Sequence, residues 1–284
     1  MKKLFIFLAL IISLQGFGQT VITSSTTVLR VYDSNQPLNI ETTCELWLDG
    51  KDDDSFTLDG TSVDQWDDKS GNDRHLNNTN DNTTRPTYDI NTGRVAFTAA
   101  NETFLQSAAF GAALVQPNTI FVVYKINTYI GSSVVFTGAI NYVQFTMATG
   151  NFRLKAGVSL TDGPTNLNDN IHVALFNGAS SEYWINGINV ISGNAGNRIL
   201  NGITLGSLRT TASAFSSAEI MEVIVYNSDI SDTDRDVITA YLADKWDITA
   251  TTDFKGYVLY EMMWLILLLI PNIRRKEEEF KIAA

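Results

Sequence analysis

The chain has 284 residues, with 31 acidic against 20 basic side chains and a formal net charge of −11. No cluster of Lys or Arg occurs before the last dozen residues, so nucleic-acid binding has no electrostatic footing. The single cysteine, Cys44, excludes an intrachain disulfide and reads as a small buried apolar residue.

The chain opens MKKLFIFLALIISLQGFGQT. Lys2 and Lys3 give a basic start, Leu4 to Leu14 an apolar stretch, and Gly16-Phe17-Gly18 a small-x-small cleavage site, which together predict a secretory signal peptide over residues 1–18. Export to the cell surface or the medium follows from that expectation, and loss of the leader takes the net charge from −11 to −13. Residues 19–43 are rich in Ser and Thr with weak periodicity and read as a linker or an edge strand.

Residues 44–248 carry the strand signals of one all-β domain. Runs such as NTIFVVYKIN (118–127), SSVVFTG (132–138), NFRLKAG (151–157) and IHVALFNG (171–178) are β-branched and aromatic, and each ends at Gly, Asn or Asp. In SEYWINGINVI (181–191), Asn186-Gly187 sits between alternating apolar residues and predicts a two-residue hairpin turn. The continuous apolar runs IFVVY (120–124 with its flank) and EVIVYN (222–227) predict strands covered on both faces. One helix is expected within residues 229–246, capped by Ser231, with Val237, Ile238, Tyr241, Leu242 and Trp246 forming the stripe that docks on the sheets.

Taken in order, LWLDG (46–50), VDQWDDKSGNDRHLNN (63–78), RPTY (85–88), RVAFT (94–98), TIFVVYK (119–125), YWINGINV (183–190), ITLGS (203–207) and AEIMEVIVYNSDISDTDRDVITAYLADKW (218–246) resemble the secreted LamG-like, concanavalin A-like lectin/glucanase domains. The resemblance implies a jelly-roll sandwich of two antiparallel sheets with a short C-terminal helix docked on it. It also implies sugar binding, adhesion, glycan degradation or, in some branches, calcium binding, so function has to be argued from a site. Trp47, Trp66 and Trp246 fall in the family's framework motifs, where core packing is their expected role.

A glycoside hydrolase needs two carboxyl groups at a set separation. The glucanase branch places them as Glu-x-Asp-x-x-Glu on one strand. Here Glu219 is followed by Met221 and Ile224 at the positions that need Asp and Glu. Strict alternation would also turn Glu219 and Glu222 to opposite faces. Glu222 therefore reads as a structural hydrogen-bonding or ion-pairing residue. The two histidines, His75 and His172, lie in no catalytic pattern, and the expectation is a chain that is not an enzyme.

Two sets of binding residues stand out. Trp184 shares an alternation face with Glu182 and Asn186, as a stacking platform for sugar would, although the reading that this face lies under a loop or against the other sheet leads. The acidic stretch 66–73 offers Asp67, Asp68 and Asn72 as oxygen ligands for calcium, although it lacks EF-hand spacing and the same residues build turns. The turn reading leads. The partner expected is a polysaccharide or a cell-surface protein, and not nucleic acid. Residues 257–271 form a short apolar segment followed by Arg274, Arg275 and Lys276. It reads as a short membrane anchor, a sorting signal or the non-native end of a truncated or frameshifted gene.

Overall fold

The computed structural model describes residues 20–25, 28–33, 36–37, 43–78, 82–128, 132–139, 144–148, 151–164, 167–208 and 214–252. The stretch expected to be a signal peptide and the apolar segment 257–271 lie outside the described residues. In chain order the strands are β1 (Thr20–Ser25), β2 (Val28–Asp33), β3 (Cys44–Asp49), β4 (Phe56–Asp59), β5 (Ser62–Trp66), β6 (Leu76–Asn77), β7 (Thr87–Asp89), β8 (Arg94–Phe97), β9 (Leu105–Ser107) and β10 (Asn118–Thr128). They continue with β11 (Ser132–Gly138), β12 (Gln144–Ala148), β13 (Asn151–Lys155), β14 (Ser159–Pro164), β15 (Asn170–Phe176), β16 (Ser181–Ile185), β17 (Ile188–Gly193), β18 (Ile203–Leu205) and β19 (Ser217–Tyr226), and helix α1 (Asp232–Trp246) follows.

Strands β1 and β2 pair with each other, so the stretch expected to be a linker or an edge strand holds an antiparallel hairpin. Residues Asn39–Thr252 form a separate compact unit. It is an all-β sandwich with one helix, and its strand pairings are antiparallel. One sheet runs β17-β16-β15-β10-β19, with β3 and β8 side by side along the far edge of β19 and β7 beyond β8. The second sheet runs β4-β5-β6-β9-β18-β11-β12-β13-β14. Many of these neighbours are far apart in sequence, as in a jelly roll.

The inner faces pack Leu46, Leu48, Trp66, Leu76, Phe97, Leu105, Ile120, Val122, Phe136, Phe152, Leu154, Phe176, Ile203, Leu205, Ile220, Val223 and Val225 into one core. Alternation explains the choice: in β18, Ile203 and Leu205 turn inward and Thr204 turns out. Strand β10 is buried along both faces from Asn118 to Tyr124, as its continuous apolar run predicts, because α1 covers the outer side of its sheet.

Helix α1 begins where the sequence places it. The Ser231 hydroxyl accepts a hydrogen bond from the Asp234 amide at 3.1 Å, satisfying a donor that the first turn would leave open. Val237, Ile238, Leu242 and Trp246 are buried against the sheet. The β16–β17 turn has φ of 49° at Asn186 and 82° at Gly187, the left-handed pair that a type I′ hairpin requires. A Cβ on Gly187 would lie 1.7 Å from the Thr251 carbonyl oxygen, so the chain leaving α1 is pressed against this turn. The Thr251 amide also donates to the Asn186 carbonyl at 2.8 Å.

Candidate functional site

The acidic residues of β19 depart from strict alternation. A register shift falls between Glu222, opposite Val123, and Ile220, opposite Tyr124, leaving Met221 as the extra residue of a bulge. Ala218, Ile220, Val223 and Val225 face the core, so Glu219 and Glu222 both point to the outer face. This corrects the expectation of opposite faces, and the bulge is the reason.

The two glutamates nevertheless have different surroundings. Glu222 has no exposed surface. Its Oε1 accepts from the Trp47 indole N–H at 2.9 Å and the Tyr241 hydroxyl at 2.9 Å, and its Oε2 from the Trp246 indole N–H at 2.7 Å. Lys245 Nζ lies 2.9 Å from Glu222 Oε2 and 2.6 Å from Asp49 Oδ1. Lys69 Nζ extends the network, 3.2 Å from Asp49 Oδ2 and 2.5 Å from Asp52. Burial pushes the Glu222 carboxyl above its ordinary range, although Lys245 pulls the other way. Burial also opposes the Asp49 charge, but Lys245 outweighs it and holds that carboxyl below the usual range. Glu219 is tied to Arg94 at 2.9 Å, and Arg94 also grips Asp169 at 2.7 Å. These carboxylates fasten a helix and a strand to the sheet.

Residues 62–78 form β5, β6 and the loop between them. Asp68 is the centre of that loop and is 7% exposed. Its Oδ1 accepts from the Trp47 and Ser70 amides, both at 2.9 Å. Its Oδ2 accepts from the Ser70 hydroxyl at 2.9 Å and the Arg74 amide at 3.0 Å. Four donors therefore occupy its oxygens, which is the geometry of an elaborate turn. The Asn72 side-chain amide donates to the Cys44 carbonyl at 3.0 Å, and Asp67 Oδ1 accepts from the Gln65 amide at 2.7 Å. Among the described residues no group of three or more His, Cys, Asp or Glu side chains is placed to hold a metal ion.

The other side of the same motif faces outward. Trp66 and Leu76 are core residues, so their neighbours Gln65, Asp67, His75 and Asn77 lie on the outer face of the second sheet. Gln65 pairs in register with Asn77, Asn77 with Gln106, and Gln106 with Thr204. The Gln106 side chain donates to the Thr204 hydroxyl at 2.8 Å. The register continues through Thr137 and Gln144 to Lys155 and Ser159. Gln65, Asn77, Gln106 and Lys155 are half-buried, while the short Thr137 and Thr204 between them have no exposed surface. His75 sits beside this row with Nδ1 accepting the Asp68 amide at 3.0 Å, so in the neutral ring Nε2 carries the proton. The result is one row of amide and hydroxyl groups, able both to donate and to accept.

The stacking platform expected at Trp184 does not form. Trp184 is 4% exposed, and the Arg235 guanidinium of α1 lies over its ring at 4.0 Å. The Asn186 side chain is engaged as well, accepting from the Ile171 amide and donating to Asn170 Oδ1 at 2.8 and 2.9 Å. Glu182 alone of the three remains half-buried without such a role. The outer face of this sheet is the face on which α1 docks. The amide row on the other sheet was not among the expected site residues, because its members are brought together only by pairing of strands distant in sequence.

No family model and no curated protein matches the chain. Among solved structures, it is similar to the Trypanosoma rangeli sialidase in complex with sialic acid, at 14% identity over 73% of this chain and 34% of that one, with a TM-score of 0.47. It is similar to a structure of botulinum neurotoxin type C, whose cell entry is described as dependent upon interaction with two ganglioside molecules, at 10% identity over 71% of this chain and 51% of that one, with a TM-score of 0.48. It is also similar to the binding domain of Paraclostridial Mosquitocidal Protein 1, at 9% identity, 71% and 52% coverage, and a TM-score of 0.47. The chain thus spans between a third and about half of these proteins. Likenesses this weak transfer neither activity nor ligand.

Proposed function

We propose that the chain is an exported, non-catalytic recognition module of the LamG-like, concanavalin A-like type that binds polysaccharide through the outer face of its second sheet. The observation that carries this reading is the in-register row Gln65-Asn77-Gln106, half-buried beside Asp67 and His75, with the buried Thr204 accepting from the Gln106 side chain at its end. Amide side chains match the alternating donors and acceptors of sugar hydroxyl groups, and neighbouring strands repeat them roughly every 4.8 Å. Commitment of Glu222 and Glu219 to Lys245 and Arg94 supports the non-catalytic part. An acid catalyst has to reach the scissile oxygen, and Glu222 has no exposed surface.

The test is a glycan-array screen of the exported chain, with and without calcium, alongside an assay for reducing-end release. Binding to one glycan class without release is the expected result. Binding to no glycan in either condition favours a surface-structural or adhesive role. Reducing-end release from any of a broad panel overturns the non-catalytic reading. Dependence of binding on calcium would bring the ion to the Asp67, Asp68 and Asn72 loop, which would have to exchange the Asp68 hydrogen bonds for metal contacts.

A further inference from the structure

Lys245, Asp49 and Glu222 form a trio with chemistry beyond ion pairing. The Lys245 ammonium lies 2.6 Å from Asp49 Oδ1 and 2.9 Å from Glu222 Oε2. Asp49 and Glu222 are partners in register on β3 and β19, and Lys245 reaches both from the last turn of α1. Water is largely kept out, since the side chains of Lys245, Asp49 and Glu222 are 15%, 8% and 0% exposed. The rings of Trp47, Tyr241 and Trp246 enclose the ammonium at 5.8, 5.2 and 5.7 Å.

An amine held against a carboxyl group is the reactant pair of an amide. In water the two do not condense, because each is ionised and hydrated. Burial removes that hydration, and fixing the groups in contact is equivalent to an effective concentration of roughly 10⁵–10⁸ M. The ion pair has to lose its charges first, because Lys245 holds the Asp49 carboxyl in its ionised form. Glu222 is placed to relieve this: burial pushes its carboxyl up, and its Oε2 can take a proton from Nζ across 2.9 Å. Lys69 Nζ lies 3.2 Å from Asp49 Oδ2, the oxygen that gathers negative charge when the carboxyl carbon is attacked.

We infer that the folded chain joins Lys245 to Asp49 through an intramolecular amide bond, with Glu222 carrying the protons. Nζ gives a proton to Glu222 and attacks Asp49 Cγ with the lone pair this frees. The Nζ–Cγ bond forms and the Cγ–Oδ1 bond breaks. Oδ1 leaves as water with the two protons that the ammonium loses, both passed through Glu222, which ends as it began. Oδ2 stays as the amide oxygen beside Lys69. The charges of Lys245 and Asp49 vanish together, and no oxidant or other reactant is consumed. The reaction happens once per chain, so it needs no turnover and is independent of any ligand.

The bond would close a span of 196 residues. It ties β3, the first described strand of the compact unit Asn39–Thr252, to α1, its last described helix. A chain with Cys44 as its only cysteine cannot make such a closure with a disulfide.

The experiment is intact-mass spectrometry of the purified full chain after denaturation, followed by proteolysis and sequencing of the peptides. The expected result is a mass lower by one water molecule than the sequence requires, after allowance for any leader removed. The digest should contain a branched peptide joining the segment around Asp49 to the segment around Lys245. Lys245→Arg keeps a cation at the site and should restore the full mass and abolish the branched peptide. Glu222→Gln, shown to be folded by circular dichroism, should contain at least tenfold less of that peptide. A native chain of full mass overturns the inference without reference to any variant. Water loss located elsewhere, such as between Lys69 and Asp52, overturns it equally. A folded Glu222→Gln chain that is fully linked overturns the role given to Glu222.

Discussion

Glu222 Oε2 accepts the indole N–H of Trp246 at 2.7 Å, joining the last turn of α1 to the middle of β19 across the outer face of the first sheet. Through its other oxygen Glu222 holds Trp47 of β3 and Tyr241 of α1, so one buried carboxylate ties three elements together. Its salt bridge to Lys245, which also pairs with Asp49, makes the arrangement a buried ionic network. Such a network adds little beyond a well-packed apolar replacement, but it is expensive to break from one side.

Glu222→Ala is expected to lower the free energy of unfolding by about 3–5 kcal/mol, because it removes the shared acceptor of the Trp47 and Trp246 indoles and the Tyr241 hydroxyl and leaves Lys245 with Asp49 as its one remaining carboxylate. Glu222→Gln keeps an oxygen acceptor and should cost less. Denaturant melts of both variants measure this. A Glu222→Gln chain as stable as the native one, yet altered in a reaction on glycans, would contradict the structural role.

Gly187→Ala tests the clamp on the chain leaving α1. The new Cβ would collide with the Thr251 carbonyl and sit at a φ of 82°, so a loss of roughly 1–3 kcal/mol is expected. Hydrogen exchange at the Thr251 amide, which is bonded to Asn186 in the native chain, should accelerate selectively.

The elements closest to local rules were legible in the sequence. Ser231 caps its helix and Asn186-Gly187 makes its turn because each depends on a few neighbouring backbone groups. Glu219 and Glu222 were assigned to opposite faces because the bulge at Met221 is set by pairing with β10, about a hundred residues away in sequence. Trp184 looked like a platform because alternation tells that it leaves the core, but not that Arg235 will cover it. The amide row was hidden for the same reason. β6 and β9 are strands of two and three residues, too short to show a period, and their alignment with β18 is fixed only by the closed sandwich.

Acid stability should carry the signature of His172. Its Nδ1 lies 2.8 Å from the Tyr183 hydroxyl, its ring stacks on Tyr124 at 4.0 Å, and burial pushes its pKa down to about 3. Below the ordinary histidine value near 6.5 the unfolded chain takes up a proton that the folded chain refuses. Stability is therefore full above about pH 6.5 and falls on acidification toward 3, by up to roughly 1.4 kcal/mol per pH unit from this residue. His172→Phe keeps the stacking and removes the titration, so its stability should vary less with pH across that window. Denaturant melts at pH 4, 5 and 7 are the measurement.

Cys44 is expected to be inert while the chain is folded. It is 5% exposed, and burial, followed by the nearby Asp68 charge, pushes its thiol up to about 12. At pH 8 little thiolate forms. An aromatic disulfide reagent should react slowly with the native chain and fully after unfolding. Fast labelling under native conditions would show that β3 does not sit in its place beside β19.

The most direct measurement is the affinity of the native chain for its best-bound glycan, compared with Asn77→Ala and Gln106→Ala, with thermal melting recorded for each. Each substitution removes a neutral hydrogen-bonding group from the row, so affinity should fall by roughly 2- to 10-fold per site while melting stays close to native. Undiminished affinity in both folded variants would contradict recognition through this face of the second sheet.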